Sequence, residues 1–357
     1  MAGSKQKKHI NLALQGGGAH GAITWGVLDR LLEDDRIEID SISGTSAGAL
    51  NGVALAYGLH LDGSEGARKK LNQLWEEIAR SGNFFSPVKR NPFEASMGDF
   101  NLDQSFAYQM FDSITRSFSP YQLNPFNINP LRDILEKCID FDTLRACKDI
   151  KLYLNATNVR TGKVKVFKTD EVSVDVVGAS TCLPFLFQAV EINGEHYWDG
   201  GYMGNPVLFP FVYEAKSSDI VVVHINPIER HSVPKTAPDI MNRINEISFN
   251  SSLLREFRAI TFVKKLLDDG WIKDEFQEKL RNIRIHSIRS DKSLVDLSVS
   301  SKFNVEWAFL FNLKERGREL TEIWLEDNFK HIGKKTSVDL RSIFDSDENT
   351  ECQNQYH

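Results

Sequence analysis

The sequence predicts an α/β fold in three layers (α/β/α), with a mainly parallel central sheet between two layers of helices. Strand-like and helix-like segments alternate from the N-terminus onward, which is typical of parallel sheets. Each of the first two strands ends in a glycine-containing turn that leads into a helical pattern. Residues 219–225 form an uninterrupted apolar run, as expected of a strand buried on both faces.

The N-terminal elements follow the order strand, glycine loop, helix, strand, tight turn, helix. Residues 9–15 are a short β-type run, followed by three glycines and then by apolar side chains at helical spacing over 22–32. An alternating strand over 37–43 breaks at Gly44 and leads into a helix of small residues over 47–57. This repetition of strand and helix is the basis of the predicted parallel sheet.

The rest of the chain adds strands and helices in a less regular order. Helical patterns are predicted over 66–80, 253–267 and, as the last helix, roughly 305–329. Further strands are predicted at 150–159, 163–168, 187–192 and 283–288. We see no internal repeat and no linker rich in glycine and serine.

The simplest interpretation is one domain with a C-terminal helical extension. We expect a flexible polar N-terminus over residues 1–8 and a main domain over 9–226. A mainly helical C-terminal extension over 227–344 is expected to pack on this domain, and a disordered polar tail follows over 345–357.

Residues 82–130 form an insertion in the main domain, marked by aromatic residues beside prolines. Only 102–118 within it has a helical pattern. The insertion is a candidate cap over a functional site. An irregular segment that packs its aromatic side chains into the core explains the composition equally well.

Residues 44–48 (Gly-Thr-Ser-Ala-Gly) carry the strongest chemical signal. A serine at a sharp turn between a strand and a helix points its hydroxyl out of the sheet, and Gly44 and Gly48 relieve crowding around it. The helix that follows directs the positive end of its dipole toward the same place. We therefore interpret Ser46 as a nucleophile, the alternative being a tight turn that happens to contain a serine.

The second signal is the glycine loop from Gln15 to Gly21 (Gln-Gly-Gly-Gly-Ala-His-Gly). Glycines let backbone amides approach a charged group closely, as in a phosphate cradle of the dinucleotide type or in an oxyanion hole. Gly16, Gly18 and Gly21 satisfy the dinucleotide spacing, but the next strand ends in Ser43 and its neighbours rather than in an acidic residue. The oxyanion-hole interpretation uses both motifs at once, and we prefer it.

A serine nucleophile needs a base that takes its proton. The chain contains nine histidines, and none lies in a context that singles it out. Asp199 follows a short strand and lies between an aromatic residue and two glycines, and a partly desolvated carboxylate binds protons more tightly. By itself the Asp-Gly-Gly run is a common turn, so these observations alone leave the base open.

The order of the motifs resembles that of the patatin-like phospholipases. The glycine loop and the serine turn are followed by residues 178–184 (Gly-Ala-Ser-Thr-Cys-Leu-Pro) and by the Asp-Gly-Gly turn, and the resemblance covers roughly 9–226. It implies a patatin-like α/β/α fold and a Ser–Asp dyad without a catalytic histidine. By this resemblance Ser46 is the nucleophile and Asp199 the base. The oxyanion hole is then formed by Gly16, Gly17 and Gly18.

Two positions depart from the family's usual pattern. His20 stands where many members carry arginine or lysine, and a neutral imidazole would weaken any positive contribution to the oxyanion hole. A triad through His20 is a minor alternative, because this residue lies on the oxyanion loop itself. Cys182 replaces the more common small residue, and we expect only a packing consequence.

Charge and composition exclude several classes of function. A formal net charge of −6 argues against a dominant nucleic-acid surface. No group of cysteines, histidines or acidic residues has metal-ligand spacing, so we expect neither a metal nor another cofactor. No signal peptide or membrane span is recognisable. We expect a cytoplasmic protein that is peripheral at membranes if it binds them, with unconventional secretion as an alternative.

The sequence thus predicts a hydrolase of lipid acyl esters, of the phospholipase A or lysophospholipase type. Membrane contact would be transient, through the insertion or through the later helices, where Lys264 and Lys265 follow Phe262. The alternatives are a nucleotide-binding protein that uses residues 16–21 and a non-enzymatic lipid-binding module. Head group, acyl chain and oligomeric state are not determined by the sequence.

Overall fold

The computed structural model describes residues 7–86, 88–90, 100–230, 233–273 and 280–344. Residues 1–6 of the predicted flexible N-terminus (1–8) and the whole predicted disordered tail (345–357) lie outside the described residues. Residues 87 and 91–99 of the predicted insertion lie outside them as well. Lys8 was assigned to the flexible N-terminus, but it begins the first strand instead.

A central sheet of eight strands, counted over the described part of the chain, organises the protein. The strands are β1 (Lys8–Leu14), β2 (Ile37–Gly44), β3 (Lys151–Asn158), β4 (Val164–Lys168), β5 (Val190–Ile192), β6 (Glu195–Asp199), β7 (Asp219–His224) and β8 (Arg284–Arg289). Their order is β5-β6-β3-β2-β1-β7-β8, with β4 paired to β3. Strands β3, β2, β1, β7 and β8 are parallel to one another. The remaining pairs, β4 with β3, β6 with β3 and β5 with β6, are antiparallel. The mainly parallel sheet is therefore confirmed.

Helices follow most of the parallel strands. They are α1 (Gly21–Glu33), α2 (Ala47–Phe85), α3 (Phe106–Ser117), α4 (Pro120–Leu123), α5 (Pro130–Cys138), α6 (Phe141–Ala146), α7 (Val174–Ser180), α8 (Phe209–Glu214), α9 (Ala237–Asp268), α10 (Trp307–Asn328) and α11 (Leu340–Phe344). Short 3₁₀ turns include Gly18–His20, Gly200–Tyr202 and Ser300–Phe303. Among the described residues, no helix combines the length and the apolar character needed to cross a bilayer.

Two helix boundaries differ from the sequence prediction. The helices predicted over 47–57 and 66–80 are both part of α2, where a non-helical backbone at Asp62 and Gly63 separates them. The helix predicted over 102–118 corresponds to the shorter α3, and the short helix α4 follows it. Pro120 begins this short helix because its fixed φ suits the first helical position. The Gln122 side chain accepts a hydrogen bond from the Ser119 N–H.

Side chains of the central strands alternate between two apolar cores. Leu12 of β1 faces the core formed with α1, α2 and α10, whereas its neighbour Ala13 faces the core formed with α8 and α9. Val221 and Val222 of β7 divide in the same way. Since successive side chains of a strand point to opposite faces, both faces of the sheet are buried. The predicted three-layer architecture is confirmed.

The chain beyond residue 226 contributes to both the sheet and a helical layer. β8 pairs in parallel with β7, and α10 packs against α1. A Cβ on Gly26 of α1 would lie 1.9 Å from the Lys314 carbonyl oxygen, and a Cβ on Gly317 of α10 would lie 2.2 Å from the Ile23 carbonyl oxygen. The two helices therefore touch backbone to backbone.

Gly317→Ala is expected to lower the free energy of unfolding by about 1–3 kcal/mol, because its methyl group must displace the α1 backbone. Chemical denaturation of the variant and the wild type measures this difference. Gly178→Ala is the matched control, since nothing lies within 4 Å of a Cβ at that helical position. Equal stability of Gly317→Ala and the wild type would contradict the close helix contact.

Candidate active site

Ser46 lies in a strained turn between β2 and α2. Its backbone has φ 53° and ψ −121°, a left-handed conformation that is uncommon for a residue with a side chain. A Cβ on Gly44 would lie 2.5 Å from the Gly48 carbonyl oxygen, and a Cβ on Gly48 would lie 2.1 Å from the Leu14 carbonyl oxygen. Glycine is therefore required on both sides of Ser46, as in the predicted nucleophile turn.

Asn155 of β3 joins the serine turn to the turn that contains Asp199. The Thr45 hydroxyl donates to Asn155 Oδ1 at 2.5 Å. The Asn155 side-chain amide donates to the carbonyl oxygens of Gly200 at 3.1 Å and Gly204 at 2.8 Å. Sequence reasoning missed Asn155, because the sequence shows it only as a polar residue within a buried strand.

Strand geometry places Asp199 beside the end of β2. Gly44, the last residue of β2, pairs with Leu154 of β3. β3 continues beyond this point, and there β6 pairs with it so that Asp199 lies opposite Ala156. The two turns predicted from separate parts of the sequence therefore meet at one edge of the sheet.

The Asp199 carboxyl group is fully buried. Its Oδ1 accepts a hydrogen bond from the Gly201 N–H at 2.7 Å. Its Oδ2 has no partner of normal hydrogen-bond geometry among the described residues, although the Ser46 hydroxyl is near enough to lower the carboxyl pKa. Burial outweighs both effects and raises the pKa of Asp199 to about 6.

The glycine loop passes directly over the serine turn. A Cβ on Gly16 would lie 2.6 Å from Ser46 Cβ, so only glycine permits this approach. The Gly16 N–H donates to Asn205 Oδ1 at 2.7 Å and is thus occupied. Over the described part of the chain, the N–H groups of Gly17 and Gly18 have no acceptor, and both residues line the same cavity as Ser46.

A network of buried amides holds the glycine loop from behind. Gln15 Oε1 accepts hydrogen bonds from the backbone N–H groups of Ile225 at 2.8 Å and Asn226 at 3.0 Å. The Gln15 amide donates to Asn250 Oδ1 at 3.0 Å, and the Asn226 amide donates to the Gly16 carbonyl oxygen at 2.7 Å. None of these supporting amides was predicted, because their partners are about 200 residues away in sequence.

The described histidines are held away from Ser46. His20 Nε2 lies 2.7 Å from Ser301 Oγ, and burial lowers the pKa of His20 well below its ordinary value. His224 contacts Ser287 Oγ at 3.1 Å, and burial lowers its pKa to about 4. No described histidine lines the cavity that contains Ser46. The minor alternative of a triad through His20 therefore has no geometric support.

A mostly apolar cavity of about 390 Å³ opens above the serine turn. Asp199 and Lys302 are the charged residues of its described lining. The apolar part of the wall comes from α2, α5, the segment after α7, α9 and the 3₁₀ turn at Ser300–Phe303. It includes Leu50, Trp75, Leu131, Phe187, Phe249 and Phe303.

Cys182 packs beside the site, as expected, and also contributes a backbone contact. Its Sγ lies 3.2 Å from the Gln188 carbonyl oxygen, and its own carbonyl oxygen accepts the Asp199 N–H at 2.8 Å. The backbone position of Asp199 is thereby fixed on the side facing the segment after α7.

One group of potential metal ligands lies outside this cavity. Atoms of His60, Cys147 and Asp149 lie within 4.8 Å of one another, and His60 and Asp149 are exposed. None of the three lines the cavity that contains Ser46. An ion bound there would not contact the serine turn.

The likeness to solved structures is weak. The Legionella pneumophila protein VipD gives a TM-score of 0.40 at 17% identity, with 89% of this chain and 67% of VipD covered. Pseudomonas aeruginosa ExoU, solved with SpcU, gives a TM-score of 0.31 at 14% identity, with 90% of this chain covered. The chain spans 54% of the length of ExoU. No curated protein matches the sequence.

The match to a protein family is much more specific. The family model for patatin-like phospholipases matches residues 12–212, which is more than half of the 357-residue chain. The matched range contains the glycine loop, the serine turn and Asp199. The chain therefore belongs to the patatin-like phospholipases, a family of lipid hydrolases.

Proposed function

We propose that the protein is a lipid acyl hydrolase of the phospholipase A or lysophospholipase type, with Ser46 as nucleophile and Asp199 as general base. The observation that carries the proposal is the meeting of a strained serine, a buried carboxyl group and free backbone N–H groups at the base of one apolar cavity. Each group corresponds to one requirement of acyl transfer.

In the proposed reaction, Asp199 accepts the Ser46 proton while the serine oxygen attacks the ester carbonyl carbon. The N–H groups of Gly17 and Gly18 bind the oxyanion, and Gly16 permits the close approach of their loop. The alcohol leaves with the proton from Asp199. Water, deprotonated by Asp199, then attacks the acyl-enzyme, and Ser46 recovers its proton as the fatty acid leaves.

The wall of the cavity supports a lipid substrate over a nucleotide. A nucleotide phosphate needs several donors or cations, whereas Leu50, Leu131 and Phe187 are typical of the lining. Apolar side chains instead suit an acyl chain, whose transfer from water is favourable.

Ser46→Ala is expected to lower ester hydrolysis by about 10³-fold or more, and Asp199→Asn by about 10²–10⁴-fold, because each removes a group that acts on the reacting atoms. Fatty acid released from a panel of phospholipids and neutral lipids, followed by mass spectrometry, measures the loss.

Ser117→Ala and Asp170→Asn are matched controls, since both residues are exposed and lie outside the cavity. Melting temperatures establish that all four variants fold. Full activity in either dyad variant would exclude the dyad. A rise in melting temperature with NAD or ATP, without any reaction toward a fluorophosphonate, would favour nucleotide binding instead.

The pH dependence of kcat/KM is expected to have an acid limb with a midpoint near 6. Burial raises the pKa of Asp199 to about 6, and the carboxyl group accepts a proton only when ionised. Activity is therefore lost as the pH falls through this value. Initial rates on a soluble short-chain ester between pH 4 and 9 test this, and a midpoint near the ordinary aspartate value of about 4 would contradict the buried base.

The rim of the cavity supports transient docking on a membrane surface. Phe126 and Phe185 are 85% and 63% exposed. The segment that contains Phe126 is joined to the cavity wall, because the Gln188 amide donates to the Asn124 carbonyl oxygen at 2.8 Å. Exposed apolar side chains around an opening for a lipid are favourable contacts for a bilayer.

Phe126→Ser and Phe185→Ser are expected to lower binding to phosphatidylcholine vesicles, and activity on them, by about 3- to 10-fold each. Activity on a soluble short-chain ester should stay unchanged. Tyr213→Ser is the control, because Tyr213 is 78% exposed at the opposite end of the sheet. Phe262→Ser tests the other candidate surface, and an effect confined to this variant would place the docking surface on the distal part of α9.

A further inference from the structure

We propose that Lys302, in the C-terminal extension, is a positioning residue that orients the glycine loop so that its N–H groups face the substrate carbonyl. This inference rests on the proposed function and extends the site beyond the region matched by the family. Lys302 lies in the 3₁₀ turn Ser300–Phe303 and lines the cavity that contains Ser46.

Lys302 lies against the glycine loop at Gly18 and reaches Gly16 indirectly, through Asn226. A Cβ on Gly18 would lie 2.7 Å from the Lys302 carbonyl oxygen and 3.3 Å from Lys302 Cβ. At the far end of the side chain, Nζ donates to Asn226 Oδ1 at 2.9 Å. The Asn226 amide in turn donates to the Gly16 carbonyl oxygen at 2.7 Å. The lysine side chain therefore runs from Gly18 to the support of Gly16.

The contact to the Gly16 carbonyl oxygen determines where the next N–H group points. The Gly16 carbonyl and the Gly17 N–H belong to one planar peptide unit, and in a trans peptide the two groups point in opposite directions. Holding the carbonyl oxygen on Asn226 therefore turns the Gly17 N–H away from Asn226. A cation at the start of this chain of hydrogen bonds also polarises it, which strengthens the N–H as a donor to an oxyanion.

The charge on Lys302 is not neutralised within the described structure. Lys302 forms no ion pair over the described residues. The acidic group that most favours its charge, Glu246, is itself paired with Arg230 at 2.6 Å and Arg243 at 3.0 Å. Lys302 is half-buried, and an unpaired cation that has lost part of its contact with water is costly for stability. Its position beside a site where negative charge develops accounts for its presence.

The ionisable and charged groups that face Lys302 come from four elements. Glu246 of α9 favours its charge, Arg230 after β7 opposes it, and His20 on the glycine loop is neutral through burial. Asp199 lines the same cavity. Burial is the largest effect and lowers the pKa of Lys302 to about 8, so its charge is lost as the pH rises through this value.

Lys302→Met tests the proposal because methionine keeps an unbranched side chain without the charge. On a soluble short-chain ester we expect kcat to fall about 10- to 100-fold, with KM changed less than about twofold, since the lysine acts on the loop rather than on the substrate. The wild type should also show an alkaline limb near pH 8 that Lys302→Met lacks. Lys302→Arg keeps a charge that does not titrate in this range, so it should retain most of kcat without this limb.

Lys314→Met is the matched control. Lys314 belongs to the same extension, its side chain is also largely buried, and its Nζ lies over the Trp25 ring outside the cavity. An equal fall of kcat in Lys314→Met, an alkaline limb that persists in Lys302→Met, or a change in KM alone would each overturn the proposal. A wild type that hydrolyses esters through Ser46 keeps the proposed function in these cases, whereas a wild type without ester hydrolysis overturns both.

Discussion

The turn between β2 and α2 leaves no room for a side chain two residues before or two residues after Ser46, and the remainder of the site is arranged around this constraint. Gly44 and Gly48 bring the backbones of three elements into direct contact. Ser46 itself is held in a conformation that costs about 1–3 kcal/mol. The Thr45 N–H donates to the Leu14 carbonyl oxygen at 3.2 Å, and its hydroxyl donates to Asn155. These contacts hold the strained turn in place, and Ser46 lines the cavity.

Burial disfavours the charged form of both charged residues of the cavity. It raises the pKa of Asp199 to about 6 and lowers that of Lys302 to about 8, because a low-dielectric site disfavours either charge. Between these two values Asp199 is ionised and ready to accept a proton while Lys302 remains positive. The proposed mechanism needs this combination of states, and it exists near neutral pH without a histidine.

The sequence predicted those parts of the site that depend on local backbone requirements. Gly44, Gly48 and Gly16 can be inferred from the residues around Ser46, because a turn without space for Cβ atoms selects glycine wherever it occurs. The hydrogen bond that occupies the Gly16 N–H could not be predicted, since its acceptor, Asn205, is 189 residues away. The position of Lys302 beside the glycine loop could not be predicted for a similar reason, because Asn226, the acceptor of its Nζ, is 76 residues away. The three-layer fold was predictable from the alternation of strands and helices, whereas the antiparallel pairing of β6 with β3 depends on contacts between distant segments.

The C-terminal extension is tied to the proposed chemistry through the way it packs. α10 lies against α1 at Gly26 and Gly317, and α1 begins directly after the glycine loop. The 3₁₀ turn that carries Lys302 immediately precedes α10, so the contact between the two helices also fixes the distance between Lys302 and Gly18. A displacement of α10 would therefore move the lysine relative to the loop even if every residue matched by the family stayed in place. If Lys302 orients the glycine loop as proposed, the extension sets the geometry of the proposed oxyanion site, although Ser46 and Asp199 both lie outside it.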